Sequence, residues 1–320
     1  MARANAAYYA TRDPFADFTT APEISQVFGE VLGLWAAVTW SLLGSPAPIM
    51  LIEAGPGRGT LMADALRAIR RAAPDFAAAA RVRFIETSPR LRAIQAEAVP
   101  DAQWHDRLED VPDGPFLLLA NEFLDALPIR QFVRRGKGWA ERWVRDGAFE
   151  ERAVEGLGFT PPDPVQEGGI VERCEPALAV VSHVAQRLAR HPGAALFLDY
   201  GPERSTAGDS LQALAGGRPA DPLSPPGAAD LTAHVDFSSL TEAARAGGAA
   251  VQGPVPQGMF LARLGLFQRA NRLARHRPPA EAFAIMEGAR RLGEPDRMGR
   301  LFKVLALTRA GAPGLPGFEA

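Results

Sequence analysis

Eight residues, Glu53-Ala54-Gly55-Pro56-Gly57-Arg58-Gly59-Thr60, set three glycines at alternate positions behind an acid. Glycine lets backbone approach a ligand closely and adopt angles closed to other residues. An apolar run, Ile49 to Glu53, precedes the loop, and a helical pattern, Leu61 to Ala72, follows it. A helix start offers free N–H groups and a positive dipole end, which favour an anion. That anion is a pyrophosphate or the methionine carboxylate of S-adenosylmethionine. Spacing separates the two. A dinucleotide fingerprint reads Gly-x-Gly-x-x-Gly, and here the third glycine comes one residue early. Glu53 would repel a pyrophosphate but pair with an α-ammonium group. The loop therefore points to S-adenosylmethionine, held by Glu53, Gly55, Gly57, Gly59 and Thr60.

Three more clusters follow strand-like runs. Glu86 ends the second run, where an acid hydrogen-bonds ribose hydroxyls in this architecture. Thr87 and Ser88 come next, and Ser88 also suits the N-cap of the helix opening at Pro89. Trp104-His105-Asp106 follows the third run. Asp106 can accept the adenine amino N–H there, while Trp104 is either a cover for the base or a core aromatic, and His105 reads as structural. Asn121, Glu122 and Asp125 follow the fourth run. Ligands of an open α/β sheet sit outside the carboxyl ends of the strands, at the point where strand order reverses. Two carboxylates there suit a guanidinium, which carries five donors in a fixed fork. They would orient a nucleophile and take its proton. The same cluster also suits helix capping. Asp199-Tyr200-Gly201 could form one wall.

These residues need a frame. Apolar runs at Ile49–Glu53, Val82–Glu86, Ala102–His105, Phe116–Ala120 and Ala194–Asp199 alternate with helical patterns, which predicts a parallel sheet. An irregular arm is expected over the first 22 residues, then a helix from Pro22 to about Leu43. Between the fourth and fifth runs the pattern predicts a hairpin, Ile129–Arg134 with Gly138–Arg145, a strand at Ala148–Ala153, and a long helix from Val171 to Arg190. Gly201 to Ala229 reads as loop. Helices are expected at Phe237–Ala246, Phe260–Arg275 and Ala280–Leu292, and strands at Ala249–Gly253 and Phe302–Thr308. The expected organisation is an N-terminal arm and helix (1–44), a cofactor-binding domain (45–128 and 190–320) and an inserted hairpin and helix (129–189). A further helical insertion near 259–297 completes a substrate-side cap.

Bulk numbers bound the function. The 320 residues are 47% hydrophobic and 22% charged, with a net charge of −2. Such a balance lacks the basic surplus of a protein that grips nucleic-acid phosphates. Cys174 is the only cysteine, so no internal disulfide forms and no cysteine–histidine metal cluster is spaced for binding. No run approaches the roughly 18 apolar residues of a membrane span. A cytoplasmic protein is expected, or a mitochondrial matrix one in a eukaryotic cell.

The stretches Thr19-Thr20-Ala21-Pro22-Glu23-Ile24-Ser25, Gly55 to Thr60, Glu86-Thr87-Ser88-Pro89, Asn121 to Pro128 and Asp230-Leu-Thr-Ala-His-Val-Asp-Phe237 together resemble the MidA-like family of class I methyltransferases. Gln257-Gly258 and Met298 to Val304 are similar to its later part. The resemblance implies a Rossmann-like α/β fold, a seven-stranded sheet with an inserted hairpin and helical subdomain. It places Thr20, Pro22 and Glu23 beside the cofactor pocket. Glu23 is then a third carboxylate near a guanidinium, or a first-turn acid complementing a helix dipole. It brings His234 and Asp236 to an ordered loop end, where a histidine could equally cap the helix at Phe237. The family carries a helical segment ahead of Tyr8-Tyr9 and a longer loop before Asp17-Phe18, so a shortened arm is expected. Mitochondrial members methylate an arginine on a respiratory complex I subunit and assist its assembly. The resemblance thus implies a protein substrate on the equivalent NADH-quinone oxidoreductase, acted on by a monomer or homodimer. A cofactor-binding assembly chaperone with little turnover, and a small-molecule methyltransferase, are the alternatives.

Overall fold

The computed structural model describes residues 1–12 and 19–319. The part of the expected arm from Asp13 to Phe18 lies outside the described residues. Helices α1 (Ala2–Thr11), α2 (Ala21–Ile24) and α3 (Gln26–Leu42) come first. Strands and helices then alternate through β1 (Ile49–Ala54), α4 (Thr60–Ala72), α5 (Pro74–Ala79), β2 (Ala80–Ile85), α6 (Pro89–Ala98), β3 (Gln103–His105) and β4 (Phe116–Asn121). Four strands follow, β5 (Arg130–Arg135), β6 (Gly138–Arg145), β7 (Ala148–Val154) and β8 (Ile170–Arg173), before α7 (Glu175–Arg190) and β9 (Gly193–Tyr200). Short strands β10 (Gln212–Ala215), β11 (Arg218–Pro219) and β12 (Asp230–Thr232) lead to α8 (Phe237–Ala246) and β13 (Ala249–Pro256). The chain ends with α9 (Gln257–Arg263), α10 (Leu266–Ala274), α11 (Pro279–Gly293) and β14 (Phe302–Arg309).

Two compact units result. One comprises Thr19–Phe123, Val181–Tyr200 and Ala243–Ala320. It holds a seven-stranded sheet in the order β13-β14-β9-β4-β1-β2-β3. Its five central and outer strands from β9 to β3 are parallel, whereas β14 runs antiparallel to both β9 and β13. Every residue of β1 and β4 is buried, which explains why both read as unbroken apolar runs. Strand order reverses between β1 and β4, so their carboxyl ends open a crevice.

Helices α3 and α4 cross closely because α3 carries glycine where they meet. A Cβ at Gly33 would stand 2.7 Å from Ala65 Cα, and one at Gly29 2.7 Å from Asp64 Cβ. Ser25 starts α3, its Oγ accepting the Val27 N–H at 3.3 Å. That cap splits the single helix expected from Pro22 into α2 and α3. A second split falls at Gly265, whose φ of 87° separates α9 from α10.

The other unit comprises Met1–Phe18, Leu124–Val180 and Gly201–Glu242. Its larger sheet is antiparallel, β7-β6-β5-β8. The helix expected from Val171 starts only at Glu175. Ile170 and Val171 instead pair with Val133 and Phe132 as β8, because β-branched residues gain more against a buried strand than in a first helical turn. The expected loop from Gly201 contains a hairpin, β10 to β11, closed by Gly216 and Gly217 at φ 59° and 68°. Two positive-φ glycines are what a two-residue hairpin turn requires. The first ten residues of the expected arm are largely helical. Asn5 anchors that helix, donating to Ala126 O (2.9 Å) and Leu231 O (2.7 Å) and accepting from Leu231 N (3.0 Å).

A buried ion cluster ties three helices of the first unit. Glu30 of α3 is 3% exposed. It accepts from Arg67 of α4 (3.1 Å), from Arg269 of α10 (2.6 Å) and from Gln26 (3.1 Å). Burial opposes its ionisation, yet the two guanidinium groups outweigh burial and hold it below the usual carboxylate range. Glu30→Ala is expected to destabilise by about 2–3 kcal/mol, since both arginines keep part of their hydration. The depressed pKa makes this contribution fully present above the unfolded carboxylate range and lost as pH falls through the folded value. Urea melts of wild type and variant should therefore differ at pH 7 and converge in strong acid.

Candidate active site

The glycine loop adopts the shape its composition implies. Gly55, Gly57 and Gly59 have φ of 66°, 55° and 81°. Gly59 N donates to Pro56 O at 2.7 Å, closing the turn, and Gly59 is the N-cap of α4. Contact as well as conformation excludes a side chain at Gly55, where a Cβ would lie 2.9 Å from Phe123 Cδ2.

Glu53 sits beneath this turn with 3% exposure. Burial pushes its carboxyl up to about 8, opposed only by a hydrogen bond from the Met62 N–H in the first turn of α4. Its Oε2 is buried and has no partner among the described residues. A buried acceptor with no donor is costly. An α-ammonium group would supply both the donors and the missing charge, so the residues present fit S-adenosylmethionine.

Glu86 follows β2 and is already oriented. Its Oε1 accepts Ser88 N (2.8 Å) and its Oε2 accepts Gln95 Nε2 (3.2 Å). Burial raises its pKa against these bonds and the Thr87 N–H. Ser88 caps α6 as expected, its Oγ taking Leu91 N at 3.4 Å. Asp106 is held differently. Its side chain is 71% exposed and pairs with Arg92 at 2.6 Å, while Arg92 Nε also donates to Glu86 O at 2.8 Å. Trp104 packs tilted against Phe84 and donates its indole N–H to Gln95 Oε1 at 2.8 Å. Burial holds His105 below the usual imidazole range.

At the end of β4, Asn121 is buried and its Oδ1 lacks a partner among the described residues. Its Nδ2 donates to Glu122 Oε1 at 3.1 Å. Glu122 has φ 48°, a strained angle for a non-glycine residue. The same Oε1 accepts the Ala21 N–H at 2.8 Å. Burial raises the Glu122 pKa, opposed by these two bonds and by the charge of Arg291.

Short helix α2 lies along this edge. Thr20 is its N-cap residue and Pro22 stands in its first turn. Glu23 takes the Thr60 hydroxyl at 2.5 Å and faces Arg58 at 3.9 Å. The structure thus gathers Glu23, the glycine loop and the start of α4 into one bonded group.

Asp125, His234 and Asp236 belong to the other unit. Asp125 is 7% exposed. Burial foremost, then the charges of Asp230 and Asp125, raises the Tyr9 pKa well above its ordinary value. Asp236, not His234, caps α8. It accepts Ser239 N (3.1 Å) and the hydroxyls of Ser239 (2.8 Å) and Ser205 (2.7 Å). Asp199 receives Tyr200 N at 2.9 Å.

Sequence reasoning passes over Gln95, which touches the loop, Glu86 and Trp104 at once. One signal for it exists. Gln95 is four residues from both Leu91 and Val99, a polar residue on the apolar stripe of α6.

Known proteins similar to this chain are methyltransferases. A model of the family described as "Putative S-adenosyl-L-methionine-dependent methyltransferase" matches residues 31–255. The chain is 37% identical over 342 residues to the protein arginine methyltransferase NDUFAF7 homolog, mitochondrial, of Drosophila melanogaster, covering 94% of this chain and 78% of that one. Identity to the human protein arginine methyltransferase NDUFAF7, mitochondrial, is 34%, covering 94% and 76%. A crystal structure from Burkholderia thailandensis, bound to S-adenosyl-homocysteine, superposes with a TM-score of 0.78 at 29% identity, covering 94% and 81%. Among the described residues no helix is long and apolar enough to cross a membrane.

Glu53 gives a pH-dependent test. Its folded pKa of about 8 lies above the ordinary 4.5. Between those values the folded state keeps a proton that the unfolded chain releases. Ligand-free stability therefore falls with rising pH by about 1.4 kcal/mol per unit from this group. Glu53→Gln should remove that slope, melting above wild type at pH 8 and level with it near pH 4.5. The same variant should bind S-adenosylhomocysteine roughly thirtyfold more weakly, through loss of about 2 kcal/mol of charge-assisted bonding. Calorimetry and thermal melts across pH measure both effects.

Proposed function

The chain belongs to this family of S-adenosyl-L-methionine-dependent methyltransferases, and from that premise we propose that it methylates an arginine side chain of a protein. One observation carries the reading. Both hydrogen bonds to Glu122, from Ala21 and from Asn121, fall on Oε1. No partner for Oε2 is found among the described residues. Asn121 Oδ1 is buried and also has no partner among the described residues. Two acceptors at the carboxyl end of β4 suit a guanidinium, whose N–H groups spread in a planar fork.

The bound cofactor supplies an electrophilic methyl on a sulfonium. The chain's own residues do the rest. Glu53, the glycine loop, Glu86 and Asp106 hold the cofactor's amino-acid, ribose and adenine parts, and Glu23 with Thr60 braces the loop. Asn121 Oδ1 and Glu122 Oε2 orient the target nitrogen. A guanidinium nitrogen that gains a methyl must lose a proton, and Glu122 Oε2 receives it. Its raised pKa makes the carboxylate a stronger base than an exposed one. The relatives named above as arginine methyltransferases support the reading, as does the lack of a basic surplus, which disfavours a nucleic-acid substrate.

The proposed substrate protein is a subunit of the NADH-quinone oxidoreductase, respiratory complex I in mitochondria. The enzyme would meet it in a bacterial cytoplasm or, in a eukaryotic cell, in the mitochondrial matrix.

Incubation with methyl-labelled S-adenosylmethionine and lysate from cells lacking their own copy tests this. One labelled protein is expected, with the label recovered in methylarginine. Glu122→Gln should slow labelling by about 10²-fold while S-adenosylhomocysteine affinity stays within twofold. An unchanged rate would remove Glu122 from proton transfer. Label in a small molecule would overturn the protein substrate, and no label at all would favour a cofactor-binding chaperone.

A further inference from the structure

Gln95 lies at the centre of a polar network that the transfer chemistry does not use. It is 0% exposed, on a helix face otherwise occupied by Leu91. Its Nε2 donates to Gly57 O at 2.7 Å and to Glu86 Oε2 at 3.2 Å. Its Oε1 accepts the Trp104 indole N–H at 2.8 Å. The three partners come from the glycine loop, the turn after β2 and the third strand.

The amide orientation is dictated by these partners. A flip would aim Oε1 at a carbonyl and a carboxylate, and the NH2 group at an indole N–H, so all three contacts would turn repulsive. A buried polar side chain with every contact satisfied in one orientation is rigid. Glu86 is fixed in turn, because Ser88 N holds one of its oxygens and Gln95 the other. Its remaining lone pairs then face outward in a set direction.

We propose that Gln95 is a positioning residue for cofactor specificity, locking the Glu86 carboxylate for a ribose diol and coupling it to the Gly57 turn and to Trp104. The inference rests on the reading of Glu86 as the ribose acid. Gln95 itself touches no ligand. A positioning role predicts that its loss erodes discrimination between ribose and deoxyribose more than it erodes folding.

The test is calorimetric and needs no methyl acceptor. S-adenosylhomocysteine and its 2′-deoxy analogue are titrated into wild type, Gln95→Met, Gln95→Glu and Trp104→Phe. Wild type should prefer the ribose form by about tenfold or more, one hydrogen bond to a charged group. Gln95→Met keeps the volume but loses all three bonds, and the preference should fall to about threefold or less. Gln95→Glu keeps an acceptor for Trp104 but sets a second carboxyl against Glu86, so the pair shares one proton in place of the fixed amide bond, and the preference should fall as well. Trp104→Phe frees only the far end and should shift the ratio less, in the same direction. A Gln95→Met/Glu86→Gln double-mutant cycle should be non-additive.

Failures are separable. No binding of S-adenosylhomocysteine by wild type overturns the cofactor pocket itself. Binding with a ratio near one overturns Glu86 as the ribose acid. A wild-type ratio retained in both Gln95 variants, with only melting temperature lowered, overturns Gln95 as a positioning residue. Should Gln95→Met fail to fold, Gln95→Glu and Trp104→Phe still test the lock on Glu86 by the same ratio.

Discussion

Burying a carboxyl costs several kcal/mol unless the interior offers a charge or enough donors. Glu53 has one backbone N–H from Met62 and an Oε2 with no partner among the described residues. Much around it follows from that deficit. The first turn of α4 stands against it, and a helix start supplies free N–H groups there. The turn between them must be tight, which the positive-φ glycines allow. The ligand must carry a positive group, or the ligand-free protein keeps Glu53 protonated. The buried, under-satisfied Glu53 costs stability, as groups at functional sites often do.

The same logic separates the residues around the cofactor. Glu86 is buried like Glu53 but receives donors on both oxygens. It is therefore a shaped acceptor, not a poised one. Asp106 is exposed and paired to Arg92, so solvent screens it and it contributes direction more than energy. Three acids that look alike in sequence differ by environment, which suits them, on the proposed reading, to a charge, a diol and a base edge.

What is legible in the sequence is local. The strand, glycine turn and helix from Ile49 to Ala72 lie within two dozen residues, and their apolar spacing and glycines are sufficient signals. The seven-stranded order follows from resemblance, since pairings such as β9 with β14 join residues a hundred apart and leave no periodic trace. Gln95 is hidden because its partners are 38 and 9 residues away. Nothing in Asn121-Glu122-Phe123 announces a positive φ. Strand β8 from Val171 on reads as helix because an apolar residue suits either state, and only β5 beside it decides. Asp236 takes the cap for which His234 is an equal alternative in sequence, because a carboxylate accepts N–H and hydroxyl donors together, at Ser239 and Ser205.

On the proposed reading Glu122 combines two duties that need not conflict. Its backbone strain, of order 1 kcal/mol or more, is held by Glu122 N donating to Leu198 O at 2.9 Å. Its Oε1 pins the start of α2 through Ala21. If Oε1 were also the proton acceptor, protonation would convert a charge-assisted bond into a weaker one and loosen α2 during turnover. Because the two donors found among the described residues share Oε1, a proton arriving on Oε2 leaves the Ala21 and Asn121 bonds in place. The neutral carboxyl still accepts through Oε1. The residue can therefore change protonation state while the segment from Thr20 to Glu23, which braces Thr60 and the glycine loop, stays where it is. A base that also served as the hinge of its own cofactor loop would couple each proton transfer to cofactor release, and the division of labour between the two oxygens avoids that.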